Sequence, residues 1–256
     1  MAKLTFLGTS CAIPTRNRDN TSLVLNYKGK IWLIDCPGAI EHKLCRVDLD
    51  FKIVQNVIIT HTHPDHIYGI VSLVHAQAKF NDNLSIYGSQ ETLNLSKKLI
   101  KLFQLNKEGF PKMHYHKIDE GIFSEEKGLR LSSFRVDHIK SSRGISLEFL
   151  DSAKRVVCSS DTKKSNSLMR VAYGADILIH DCFSTESFFE KYPQLYSMHT
   201  SSRILAEFSE KLKIKTLIPI HFYIENKKDM NLIKEEIKKY YSGRIIIPED
   251  LESIEI

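Results

Sequence analysis

Long apolar runs are missing from this sequence. No stretch of the 256 residues reaches the ~18 that a membrane-spanning helix needs, which excludes a helical membrane span. The opening MAKLTFLGTS has no charged leader followed by an apolar core, so no secretory signal is expected. Cysteine is sparse and scattered: Cys11, Cys36, Cys45, Cys158 and Cys182 form no CxxC pair. An odd, unpatterned set argues against a disulfide framework and a thiolate zinc site, and for reduced thiols in a cytoplasmic protein. Pro/Gly-rich boundaries, low-complexity linkers and repeats of fixed period are absent too, so residues 1–256 are expected to form a single domain. A strong charge of one sign is also lacking. Thirty-six basic against 31 acidic side chains leave +5, which permits an anionic substrate without demanding one.

What is present is the balance of a globular chain, 42% hydrophobic and 26% charged, sufficient to bury a sizeable core. Residues 3–8, 21–27 and 30–36 read as short strands, with Lys28-Gly29 as the turn of a hairpin between the last two. NVIIT (56–60) reads as a buried strand, and the segment after Asp65 carries apolar residues at helical spacing. A further helix is predicted over 90–103, and residues 104–128 read as a polar, irregular surface excursion. Strands return at 129–138, 145–150, 155–161, 176–181 and 216–222, with an amphipathic helix over 201–212. Strands and helices in this order imply α/β architecture, two sheets packed face to face with helices outside.

The chemistry concentrates in HTHPDH (61–66) at the end of the NVIIT strand. His61 and His63 are two apart, so an extended backbone puts both imidazoles on one side, able to share an ion. Asp65 and His66 follow a proline turn and can address a second position. Four such side chains suit two adjacent metals better than one. Further ligand candidates close later strands: His138, Asp161 and His221. Borderline N/O donors of this kind favour Zn²⁺, with Mn²⁺ or Fe as alternatives. His42, His75 and His180 are read as structural, and His114 and His116 as surface strand residues.

HxHxDH followed by a single His, a single Asp and a final His resembles the metallo-β-lactamase fold, a four-layer αββα sandwich. The opening LGTSCAIPTRNRDNTSLVLNYKGKIWLIDC resembles the start of ribonuclease Z, the tRNA 3′-processing endonuclease. That resemblance implies one zinc held by His61, His63 and His138, a second held by Asp65, His66 and His221, and Asp161 bridging both. Asp35 would support the ligand loops. A water shared by the two ions would serve as nucleophile, oriented by Asp65. His199, in HTSS (199–202), would be the general acid for the leaving alkoxide, oriented by Asp181. Arg16 and Arg18, in PTRNRDN (14–20), match a loop near the RNA 3′ end and would contact substrate phosphates.

Three features depart from that family. Its Cys-Gly-Glu-Gly-Thr-Gln segment is here DCPGAIEH, Asp181 stands where a glutamate is usual, and 22 residues separate His138 from Asp161. That interval has no room for the protruding arm that grips tRNA. The expected substrate is therefore an RNA 3′ end or a nucleotide-like diester. Small-molecule phosphodiesterase, thioesterase and lactonase activities stay open, and so does a homodimer.

Overall fold

The structure is a computed structural model and describes residues 2–256. Its chain divides into two compact units, Met1–Ile118 with Glu249–Ile256, and Asp119–Pro248. The first holds strands β1 (Ala2–Gly8), β2 (Ser22–Tyr27), β3 (Lys30–Ile34), β4 (Asn56–Ile58), β5 (Asn83–Gly88), β6 (Lys112–Lys117) and β14 (Ser253–Glu255). They form one seven-stranded sheet in the order β14-β1-β2-β3-β4-β5-β6. Pairing is antiparallel from β14 to β3 and parallel from β3 to β6. Helices α1 (Ile40–Arg46), α2 (Pro64–Ile67), α3 (Ile70–Ala76) and α4 (Gln90–Leu102) belong to this unit. Leu33, Ile40, Val57, Ile70, Leu73 and Ile86 are among the residues of its core.

The second unit repeats the plan. Strands β7 (Gly121–Glu126), β8 (Leu129–Arg135), β9 (Arg143–Phe149), β10 (Lys154–Cys158), β11 (Ile177–Asp181), β12 (Thr216–Ile220) and β13 (Arg244–Ile245) form a sheet in the order β13-β12-β11-β10-β9-β8-β7. It is antiparallel from β7 to β10 and parallel from β10 to β13. Its helices are α5 (Asn166–Ala172), α6 (Glu186–Lys191), α7 (Ser202–Lys211) and α8 (Lys227–Tyr240). Val157, Leu178, Leu205, Phe208, Leu217 and Ile233 lie in its core. Among the described residues no helix is long and apolar enough to cross a membrane.

Local sequence explains much of this. Lys28 and Gly29 have φ of 49° and 77°, the two positive values of a turn that matches strand twist, and β2 and β3 pair directly across it. Ser89, Ser165, Thr185 and Ser201 each accept a bond from the first turn of the helix that follows. Two expectations need correction. Residues 104–128 are not irregular: they contain β6 and β7, the outer strands of the two sheets. An outer strand lacks one neighbour and tolerates polar side chains, so KMHYHK and GIFSEE carry no strong apolar pattern. The single helix expected after Asp65 is broken, and Asp65 and His66 lie in its first turn. Gly69 donates its N–H to the Cys36 carbonyl at 2.8 Å instead of continuing the helix. A Cβ there would stand 1.9 Å from the Pro37 carbonyl oxygen, so glycine permits the approach.

Candidate metal centre

Asp35, the HTHPDH cluster, Asp161, Asp181 and His221 stand at or just beyond the carboxyl ends of parallel-paired strands, where successive loops emerge on the same side, while His138 follows the antiparallel β8. The first unit contributes Asp35 after β3 and the HTHPDH cluster after β4. Asp35 is buried, with φ of 63°. Its carboxylate accepts the Thr60 N–H at 2.8 Å and the Thr60 hydroxyl at 2.9 Å. It also accepts from His66 Nδ1 at 2.8 Å. Because the carboxylate can only accept, Nδ1 carries the proton and Nε2 keeps its lone pair, the state a metal ligand requires. His66 Nε2 lies 3.3 Å from Asp65 Oδ2. His61 Nε2 and His63 Nδ1 converge to 3.1 Å, and the His61 and His66 rings are 4.0 Å apart. The three imidazoles and Asp65 thus gather in the segment that follows β4.

The second unit contributes His138, Asp161, Asp181, His199 and His221. Nδ1 of His138 donates to the Met198 carbonyl at 3.0 Å, which again puts the lone pair on Nε2. Burial holds the His138 pKa below the ordinary imidazole range, against the pull of Asp161, and so favours the neutral ring. Asp161 Oδ2 stands 3.0 Å from His221 Nε2 and 3.9 Å from His138 Nε2, placing one carboxylate between two imidazoles. Ser160 and His221, beside the ends of β10 and β12, have φ of 59° and 65°. Left-handed backbone at non-glycine residues costs energy and is typical of functional sites.

His199 Nδ1 donates to Asp181 Oδ2 at 2.8 Å. The shorter acid still reaches because β11 ends at Asp181, and the carboxylate is wholly buried. Ligand atoms of Asp161, His199 and His221 all lie within 4.8 Å of one another. Phe183 stacks on the His199 ring at 4.6 Å and on Tyr223 at 5.5 Å, which fixes the plane of the imidazole.

Sequence reasoning passed over several residues that shape these clusters. Thr60 joins Asp35 to His61. Thr162 is a buried hub: its N–H donates to Asp181 Oδ2 at 3.1 Å and its hydroxyl accepts from Asp137 N at 3.0 Å. Its carbonyl accepts from the Thr200 hydroxyl at 2.8 Å. Each threonine adjoins a ligand candidate in sequence, the only signal available. Arg16 and Arg18 line a cavity of about 450 Å³ with Arg46, but they differ. Arg18 donates to the Thr9 hydroxyl at 2.5 Å, and Thr9 in turn donates to Asp250 at 2.7 Å, so Arg18 braces its own loop. Arg16 is exposed. His180 is buried and hydrogen-bonded to a backbone carbonyl, and His114 to Asn83.

Histidine nitrogens fixed through their other ring atom, with carboxylates between them, suit a divalent cation of the borderline N/O-binding kind. A model of the family described as anti-Pycsar protein Apyc1 matches residues 2–240. Ribonuclease Z of Archaeoglobus fulgidus is 24% identical over 305 aligned positions, spanning 99% of this chain and 97% of that protein. The metallo-β-lactamase fold protein YhfI from Bacillus subtilis superposes with a TM-score of 0.83 at 20% identity, over 100% of both chains. The short form of human tRNase Z gives 0.80 at 20% identity, over 99% of each. These likenesses establish the α/β metallo-β-lactamase fold that the motif order implies.

Proposed function

The chain belongs to the family of anti-Pycsar protein Apyc1 and is a metal-dependent hydrolase of the ribonuclease Z-like group; from that premise we propose that it hydrolyses a phosphodiester of nucleotide type at a two-metal centre. His61, His63 and His138 would hold one ion, and Asp65, His66 and His221 the other, with Asp161 shared. Residues 1–256 act as one domain in this scheme, consistent with the pairing of the last strand, β14, with the first. Bound there, two divalent ions would supply an acidified water and positive charge for the developing phosphate charge.

The protein's own groups do the rest. Asp65 orients the attacking water and accepts its proton. His199, held by Asp181 and stacked on Phe183, gives a proton from Nε2 to the departing oxygen. The observation that carries this assignment is the His199–Asp181 pair within reach of Asp161 and His221. A buried carboxylate–imidazole pair serves a strongly basic alkoxide leaving group best and is superfluous for a thiolate, so it favours a diester over a thioester. The short His138–Asp161 interval favours small diesters over full-length tRNA.

The test runs a chromogenic phosphodiester, a thioester and a 3′-extended tRNA in parallel on chelator-free protein of measured metal content. Diester turnover by metal-loaded protein is expected. Turnover of the thioester alone would remove the proposal.

A further inference from the structure

Two cavities of the second unit meet at Lys163. One, of about 670 Å³, includes His138 in its wall. The other, of about 270 Å³, includes His199. The two imidazoles are 5.0 Å apart, centroid to centroid. The first cavity is within the size range of small-molecule sites, and it is basic. Arg135, Lys140 and Lys163 line it against Glu120 and Asp137, and Glu120 stands 4.0 Å from Arg135. Buried Ser142 and Ser165 close the wall. The second cavity carries Lys163, Lys164 and Lys211 against Glu207, whose carboxylate is engaged by Arg203 at 3.0 Å.

Lys163 is half-buried, and its backbone is pinned. Its N–H donates to the Asp137 carbonyl at 3.2 Å, and its carbonyl accepts from the Thr162 hydroxyl at 2.6 Å. The same Thr162 bonds Asp181, which orients His199. The backbone of this lysine is therefore held in register with the proposed acid, and the residue lines both cavities. Concave walls with a surplus of one charge concentrate ions of the opposite sign.

We propose that the basic cavities meeting at Lys163 form a subsite for a second phosphate, so that the substrate class is a short nucleotide chain carrying a phosphate beyond the one cleaved. This rests on the diester hydrolysis proposed above. Lys163 and Lys140 would bind the non-reacting phosphate and position the scissile one beside His138 and His199.

The experiment compares a dinucleoside monophosphate with its terminally phosphorylated counterpart on the metal-loaded full chain, with bis(p-nitrophenyl) phosphate as a third substrate. Wild type should favour the phosphorylated dinucleotide about tenfold in kcat/KM, mainly through KM, the size of one charge-assisted hydrogen bond. Lys163→Gln should abolish most of that ratio, Lys163→Arg should keep it, and Lys154→Gln, exposed at the start of β10, should not alter it. Separately, inorganic pyrophosphate should protect Lys163 and Lys140 from an amine-acylating reagent, read by mass spectrometry against Lys154. Diester turnover without preference or protection would overturn the subsite and leave the proposed reaction standing. Protection without turnover of any diester would support the subsite and sink the reaction.

Discussion

At the residue scale the centre depends on which nitrogen of each histidine holds a proton. Asp35 and the Met198 carbonyl accept from Nδ1 of His66 and His138, so both rings present Nε2 as a lone pair. Asp161, 3.0 Å from His221 and 3.9 Å from His138, is the ligand proposed to serve two ions. Asp161→Ala should therefore remove most bound metal and all diester turnover, checked by elemental analysis and a chromogenic assay; full metal occupancy in this variant would rule out the bridge. His199→Ala should leave metal content unchanged and slow turnover by ~10²–10⁴-fold, the usual loss for a positioned general acid. The loss should shrink on a nitrophenyl diester, whose leaving group departs without a proton. An equal loss on alkyl and nitrophenyl diesters, or loss of metal, would mark His199 as a ligand instead.

At the element scale, strand ends and turns place these residues. Parallel pairing of β3 with β4, and of β10, β11 and β12, sends Asp35, the HTHPDH loop, Asp161, Asp181 and His221 out of carboxyl ends. The β2–β3 hairpin keeps β3 in register through Gly29 at φ 77°, where an added Cβ would meet nothing within 4 Å. The cost of Gly29→Ala is then conformational alone, about 1 kcal/mol. Denaturant unfolding should show a lower midpoint at unchanged slope; no change would mean the turn relaxes to another type. Thr162→Val keeps the volume of a buried side chain and removes its hydroxyl, leaving Asp137 N–H without that acceptor. A loss of about 1–3 kcal/mol is expected, with slower turnover on alkyl diesters because Asp181 loses the fixed loop beside it.

At the scale of the whole molecule, acid should destabilise the fold through buried neutral histidines. His180 is wholly buried, and burial holds its pKa below the ordinary value. Below ~6.5 the unfolded chain takes up a proton that the folded protein refuses. Stability is thus unaffected by this group above that pH and falls as pH drops through it toward the lowered value. Melting temperatures of wild type and His180→Gln should converge in slope above pH 7, with the variant losing less between pH 7 and 5.5. His116, whose pKa is also lowered, should keep a residual slope in the variant. A parallel decline of both proteins would exclude His180. Full-length tRNA should bind weakly at physiological salt, measured by filter binding, and tight binding would point to a docking surface supplied by a second subunit.

The metallo-β-lactamase fold and a divalent-metal hydrolase were legible in the sequence because HTHPDH and the strand-end His138, Asp161 and His221 are local signals. Their order along the chain survives wherever the backbone goes. The paired Lys28-Gly29 turn was legible on the same ground, since two consecutive residues suffice for it, whereas the caps at Ser89 and Ser201 came only with the structure. Other features needed the tertiary structure. The polar strands β6 and β7 show no periodicity because each is the outer strand of its sheet, and the helix after Asp65 breaks because Gly69 gives its N–H to Cys36. The proton on His138 Nδ1 is set by a carbonyl 60 positions away, and Thr162 ties together segments that contain Asp137, Asp181 and Thr200. Arg18, alike to Arg16 in sequence, turns inward to Thr9 and the network of Asp250. Hydrogen bonds between distant segments depend on angles and distances that only the folded backbone supplies, and no spacing in the sequence encodes them.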